Sequence, residues 1–124
     1  MKITNSELFN LYETLIKLKM EVDTILPIRV GYNILRNIQI LKPFYDSIAT
    51  MRDNIAYRYG QPQPDGTVII PPENIDKANE ELYMLSNIVN EVELLTISLE
   101  DIENYGLSLN DLNNIDNIID NGKD

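Results

Sequence analysis

The 124-residue chain contains no cysteine, no histidine and no tryptophan. Without cysteine it forms no disulfide, no thiolate metal site and no cysteine nucleophile. Without histidine, the usual general base at neutral pH is also missing, and no motif supplies the serine and threonine residues with another. The sequence therefore predicts a protein that is not an enzyme and that has no catalytic residues, no cofactor and no metal site.

Basic residues are scarce in the second half of the chain. Residues 1–60 contain eight Lys or Arg and six Asp or Glu, whereas residues 61–124 contain two and fourteen, so the net charges are +2 and −12. This deficit argues against direct binding to nucleic-acid phosphates. Seven of the eight basic residues of the first half are instead expected to pair with the acidic half or with an acidic partner; they are Lys17, Lys19, Arg29, Arg36, Lys42, Arg52 and Arg58.

Long apolar runs are also missing. No stretch approaches the ~20 apolar residues that span a bilayer, and the first residues do not resemble a signal peptide. Ile and Asn, with 18 and 15 residues, are encoded by AT-rich codons and indicate a gene from an AT-rich bacterial or phage genome. We therefore expect no membrane association and a location in the cytoplasm of a bacterial host.

Length and hydrophobic periodicity predict one domain over residues 1–124, mainly α and of the α+β class, with three or four helices and a short two-stranded β ribbon. Apolar residues three and four apart predict a first helix over 5–23. Asn5 or Ser6 is placed to cap its first turn.

A second, longer helix is predicted over 32–59 from a seven-residue apolar repeat. Pro27 should break the chain before it, because proline lacks an amide hydrogen and restricts the residue that precedes it. Pro43 should kink this helix rather than end it. Residues 1–59 then form a near-neutral helical hairpin.

The acidic half begins after a Pro- and Gly-rich turn over 60–72. A third helix is predicted over 73–90. The apolar run 68–70 is predicted to pair with 91–97 as the ribbon.

Two Ser-x-x-Asp motifs follow the predicted ribbon. Ser98 and Ser108 have the spacing of capping boxes. They predict one short helical turn and then a last helix over 109–120, so that residues 73–124 form an acidic half of helices and ribbon.

The apolar repeat of the long helix is one candidate interaction site. Such a seam packs either on the first helix or on another copy of the chain, which would make a homo-oligomer. Arg52 is the polar residue on it and should either fix register in an oligomer or extend to water. The apolar seam consists of Ile34, Ile38, Leu41, Tyr45, Ile48 and Ile55.

The other candidate site is an acidic surface. Concentrated carboxylates can occupy a protein groove built for nucleic acid, and the alternative is that they only keep the protein in solution. Their spacing does not match a calcium loop. The predicted acidic surface consists of Glu91, Glu93, Glu100, Asp101, Glu103 and Asp111.

The order of segments resembles a broad group of small phage and prophage proteins without assigned activity. The similarity begins with Leu26-Pro27-Ile28-Arg29-Val30 before the long helix and Tyr59-Gly60 after it. It continues through Asn79-Glu80-Glu81-Leu82 and Leu107-Ser108-Leu109-Asn110-Asp111-Leu112. The resemblance implies a phage gene and carries over no site residues.

Two roles then remain for a non-enzymatic phage protein that binds another protein. The favoured role is a virion structural or assembly component that docks through the apolar seam. The alternative is an acidic inhibitor of a host nucleic-acid-binding enzyme or immune complex, of the anti-CRISPR or DNA-mimic type. The first predicts a location in the virion, and the second predicts binding that weakens steeply with salt.

Overall fold

A computed structural model describes residues 1–22 and 26–120 of the chain. The helices are α1 (Asn5–Val22), α2 (Ile28–Tyr59), α3 (Pro72–Ser86), α4 (Leu99–Ile102) and α5 (Leu109–Asn114). The strands are β1 (Lys2–Thr4), β2 (Gln61–Pro62), β3 (Val68–Ile69), β4 (Val89–Glu91), β5 (Ile97–Ser98) and β6 (Ile119–Asp120). The predicted class, mainly α with some β, is confirmed.

Helix α1 begins at Asn5, so the residue that caps it precedes the predicted caps Asn5 and Ser6. The cap is Thr4, whose Oγ1 accepts the N–H of Glu7 at 3.2 Å, while Glu7 Oε1 accepts the N–H of Thr4 at 3.1 Å. This is a reciprocal capping box. Asn5 is instead buried and donates through Nδ2 to Leu85 O at 2.8 Å. The prediction that Asn5 or Ser6 caps α1 was therefore wrong, because Asn5 holds α1 to the end of α3.

Helix α2 begins at Ile28, directly after Pro27, so the break before it is shorter than predicted. It continues through Pro43, as predicted, and Ser47 Oγ donates to Pro43 O at 3.0 Å. The bend expected at Pro43 stays a prediction. The end of the first predicted helix at residue 23 and part of the break after it lie outside the described residues.

The predicted ribbon between 68–70 and 91–97 was wrong. β3 pairs antiparallel with β2 as a local hairpin, whose turn includes Gly66 at φ +89°. Gly60 precedes this hairpin, and a Cβ there would lie 2.6 Å from Ala56 O and collide with Val68. Only a short turn separates β2 from β3, so β3 pairs with this neighbouring strand rather than with residues 91–97.

A second ribbon joins the N-terminal strand to the segment that follows α3. β4 pairs antiparallel with β1, with Ile3 opposite Asn90. Since residues 87–91 leave the helix to reach β1, α3 ends at Ser86 rather than at the predicted residue 90. A pairing across more than eighty residues carries no signal in either local segment.

The predicted last helix over 109–120 is divided. α5 gives way to a 3₁₀ turn at Asp116–Ile118 and then to β6, which pairs parallel with β5. Ser108 caps α5 by accepting the N–H of Asp111 at 3.0 Å, as predicted, whereas Ser98 precedes α4 without a side-chain capping bond.

The core lies between α1 and α2, which run antiparallel. Phe9 near the start of α1 stacks on Tyr45 in the second half of α2, at 4.7 Å between ring centroids. Residues from the segments 92–102 and 115–118 also belong to this core. Its fully buried large side chains are Ile3, Leu8, Leu11, Leu15, Ile34, Asn37, Leu41, Ile97, Ile102, Ile115 and Ile118. No helix among the described residues combines the length and apolarity that crossing a membrane requires.

Candidate interaction surfaces

The apolar seam lies inside the chain. Five of its six residues, all except Tyr45, are at most 7% exposed. Tyr45 is half-buried and stacks between Phe9 and Tyr12, with centroid distances of 4.7 and 4.2 Å. The sequence left two partners open for the seam, the first helix or another copy of the chain. In the structure the seam packs on the first helix. In the folded chain the seam leaves little surface for a second protein.

Arg52 extends to water from the rim of the seam. Its guanidinium carbon lies 4.9 Å from the centroid of the Phe9 ring, a cation–π contact. Among the described residues it has no ion pair. Arg52 thus covers the apolar ring of Phe9 and needs no oligomer to satisfy its charge.

Most of the predicted acidic surface is exposed. Glu91, Glu93, Glu100 and Glu103 are exposed, and Asp101 is half-buried. Within residues 1–22 and 26–120 none of these five carboxylates has an ion pair. They lie on β4, on the segment that follows it, on α4 and directly after α4, and their charge is available to a partner.

Asp111 does not belong to this surface. It is 8% exposed, and its Oδ2 accepts a hydrogen bond from Lys17 Nζ at 3.0 Å. The hydrogen bond from Lys17 is the main cause that lowers the pKa of Asp111, and hydrogen bonds from the backbone and the side chain of Ser108 to this carboxyl add to it. The same contact raises the pKa of Lys17. Asp111 thus fixes α5 to α1, and its assignment to an exposed acidic surface was wrong because α5 folds back onto the first helix.

We expect Asp111→Asn to lower the free energy of unfolding by about 1 kcal/mol at pH 7, because the solvent that reaches half-exposed Lys17 screens the pair. The pKa of Asp111 is depressed in the folded state, so its contribution is present above the unfolded value near ~3.9 and is lost as the pH falls through the folded value. Urea unfolding of both proteins should therefore give curves that converge in acid. Asp46→Asn, which breaks the exposed pair with Lys42, is the control and should change stability little.

The charge division is partly neutralised within the fold. Arg58 Nη1 lies 2.7 Å from Glu81 Oε1, so α2 and α3 are joined by a second salt bridge between the halves. Two basic residues of the first half therefore pair with the acidic half, as the charge distribution predicted. Lys42 pairs with Asp46 on its own helix.

The outer edge of β4 is a feature that the sequence did not reveal. Met1 and Val92 exchange both backbone hydrogen bonds, at 2.8 and 3.0 Å, and the N–H of Asn5 donates to Ile88 O at 2.9 Å. In an antiparallel ladder the intervening residues point their backbone groups away from the partner strand. Val89 and Glu91 therefore direct their N–H and C=O groups outward.

Those four backbone groups have no hydrogen bond to any described residue. The other edge of the ribbon differs, because the N–H of Thr4 is bonded to Glu7. The only sequence signal for β4 is the β-branched pair Ile88-Val89. The predicted helix over 73–90 includes this pair, which also fits a helical period.

Beside β4 is a groove of about 350 Å³. Pro43, Phe44, Ser47 and Met51 of α2 line it on one side. Leu85, Ile88 and Asn90 line it from α3 and the segment that follows, and Asn5 and Ile48 complete the lining. No cluster of three or more side chains suited to hold a metal ion occurs in the part of the chain that the structure describes.

Comparison with models of protein families, with curated proteins and with solved structures finds no match to this chain.

Proposed function

We propose that this chain is a non-enzymatic phage protein whose acidic surface occupies a basic groove on a nucleic-acid-binding protein of the host. The observation that carries the proposal is the set of exposed carboxylates that form no ion pair with any residue the structure describes, namely Glu91, Glu93, Glu100 and Glu103. Concentrated negative charge of this kind steers association with a positive cleft and competes with nucleic acid for it.

The burial of the apolar seam supports this order of preference. A virion or assembly role through the seam would require residues such as Leu41, which is 0% exposed, to leave the core that they form with α1. The acidic surface needs no such rearrangement. The phage origin is supported by the resemblance of segment order described above.

The test is capture of host proteins by the tagged chain at low and at high salt, followed by addition of duplex DNA. Retained proteins should be nucleic-acid-binding proteins, should be lost near 1 M salt, where the Debye length falls to about 3 Å, and should be displaced by the DNA. Replacing Glu100, Asp101 and Glu103 together by their amides should abolish capture.

The matched control removes the same number of charges from the other half. Glu13→Gln, Glu21→Gln and Asp53→Asn alter exposed carboxylates on α1 and α2, and this triple variant should capture the same proteins as the unmodified chain. Equal loss in both triple variants would show a nonspecific charge effect and contradict the proposal. So would a captured protein that duplex DNA does not displace.

A second candidate is the assembly role through a different surface. Ile28 is 91% exposed at the first turn of α2, with Tyr32 and Leu35 also exposed. They line a cavity of about 380 Å³ together with Leu26. Capture of phage structural proteins that persists at high salt and is lost in Ile28→Ser would favour this role over the acidic one.

A further inference from the structure

We infer that the outer edge of β4 binds an extended peptide segment of a partner protein in which apolar and basic residues alternate. The segment would add a strand to the β1–β4 ribbon. This inference shares the exposed Glu91 and Glu93 with the proposed acidic surface, but it rests on the backbone edge of β4 and can fail without the proposed function.

The backbone geometry supplies the first argument. Val89 and Glu91 each present one donor and one acceptor along an edge that no described residue covers. These are the groups with which a sheet edge binds an added strand. The edge of β1 is less suited, since Glu7 already bonds the outward N–H of Thr4.

The face of the ribbon that carries Ile88 and Asn90, here called the inner face, favours apolar residues in the incoming segment. Side chains alternate between the two faces of a strand, so Ile88 and Asn90 share one face and Val89 and Glu91 share the other. The groove of about 350 Å³ is lined by Ile88 and Asn90 and therefore lies on the inner face. Every second side chain of an added strand would enter this groove beside Phe44 and Met51. The methionine side chain is flexible and adapts to ligands of different shape.

The opposite face of the ribbon carries Val89 and Glu91 and is here called the outer face. It favours basic residues at the positions between the apolar residues of the incoming segment. There the incoming side chains would lie beside Glu91, which is exposed and has no ion pair among the described residues. Glu93, also exposed, follows shortly after the strand. A lysine on the added strand next to Glu91 would form a cross-strand pair of opposite charge.

The same charges disfavour a second copy of the chain on this edge. An antiparallel pair of β4 strands would bring together two chains that each carry a net charge of −10. It would also place Glu91 and Glu93 of both copies along one short ribbon, and neighbouring like charges destabilise such pairs.

The experiment uses amide hydrogen exchange of the full chain with a capped synthetic peptide in which valine and lysine alternate. In the free protein the amides of Val89 and Glu91 should exchange rapidly, while that of Asn90, bonded to β1, should be protected. Addition of the peptide should slow exchange at Val89 and Glu91 by about tenfold or more. A peptide of the same composition with valines and lysines in separate blocks should give no such protection.

A proline variant tests directly the hydrogen bond that the outward N–H of Val89 would donate to the peptide. Val89→Pro removes the outward N–H but leaves the inward bonds of Asn90, and proline is tolerated at such edge positions. It should weaken peptide binding about fivefold to tenfold, the effect of one lost hydrogen bond. Val89→Thr keeps the amide hydrogen and the branched shape and should bind within about twofold of the unmodified chain.

Several results would overturn the inference. They are the absence of protection at Val89 and Glu91 with millimolar peptide, equal protection by the block peptide, and Val89→Pro binding as well as Val89→Thr. A dimer in sedimentation that Val89→Pro dissociates would assign the edge to a second copy instead. If Val89→Pro does not fold, the exchange pattern of the unmodified chain still decides the question. The triple amide variant at 100, 101 and 103 should keep peptide binding, which separates this test from that of the proposed function.

Discussion

Asn37→Asp should lower the free energy of unfolding by about 3–5 kcal/mol at pH 7, the cost of an uncompensated buried charge. Asn37 is 0% exposed on α2. Its Nδ2 donates to Leu95 O, and the N–H of Leu95 donates to its Oδ1, both at 2.8 Å. A carboxylate would keep the second bond and oppose the carbonyl in the first. The segment after β4 would keep only one of its two hydrogen bonds to residue 37 of α2.

The pH dependence of this loss is a specific check. Burial should raise the pKa of the introduced carboxyl above its unfolded value near ~3.9. A group with a raised folded pKa is least destabilising below the unfolded value, so the variant should approach the unmodified chain near pH 3 and diverge as the pH rises. Urea unfolding of both chains across this range measures the difference.

Asn33→Asp is the control for this prediction. Asn33 lies one turn earlier on the same helix, is only half-buried, and makes one bond, from Nδ2 to Thr96 O at 3.1 Å. Its replacement should cost about 1 kcal/mol or less. Equal losses at positions 33 and 37 would contradict the role of Asn37 as the buried attachment.

Leu41→Ala should lower the free energy of unfolding by about 2–5 kcal/mol, because it removes a fully buried side chain and leaves a cavity between α1 and α2. Leu41 is 0% exposed. Chemical unfolding should give the same midpoint at all protein concentrations, since the seam is filled within one chain. Leu35→Ala, at a 40% exposed position on the same helix, is the matched control and should cost about 1 kcal/mol or less.

A different outcome would return the seam to the role first expected from the sequence. If the unfolding midpoint rose with protein concentration and Leu41→Ala removed that dependence, the seam would be an interface between chains. The buried arrangement of α1 on α2 would then be incorrect.

The helices were predictable because their signals are local. Leu8, Leu11 and Leu15 repeat at helical spacing, and all three are 0% exposed in the core of the fold. The predicted helix boundaries were less accurate. Thr4-x-x-Glu7 has the spacing of a capping box in the sequence and lies directly before the predicted cap residues Asn5 and Ser6.

The candidate interaction sites were likewise predictable only where the signal is local. Glu91, Glu93, Glu100 and Glu103 were expected at the surface and are exposed. Asp111 belongs to the same acidic half, and only the approach of Lys17 distinguishes it. That approach depends on how α5 packs on α1, which no spacing within residues 98–124 encodes.

The sequence by itself determined the helical periods, the missing side chains for common catalysis and the division of charge. Each of these is a property of residue type or of spacing within a few turns. Only the tertiary structure decided that the seam faces α1, that β4 pairs with β1 rather than with the strand after Gly66, and that Asn37 holds Leu95. These contacts join distant segments, and the free energy of closing such loops is recovered only when the whole core forms.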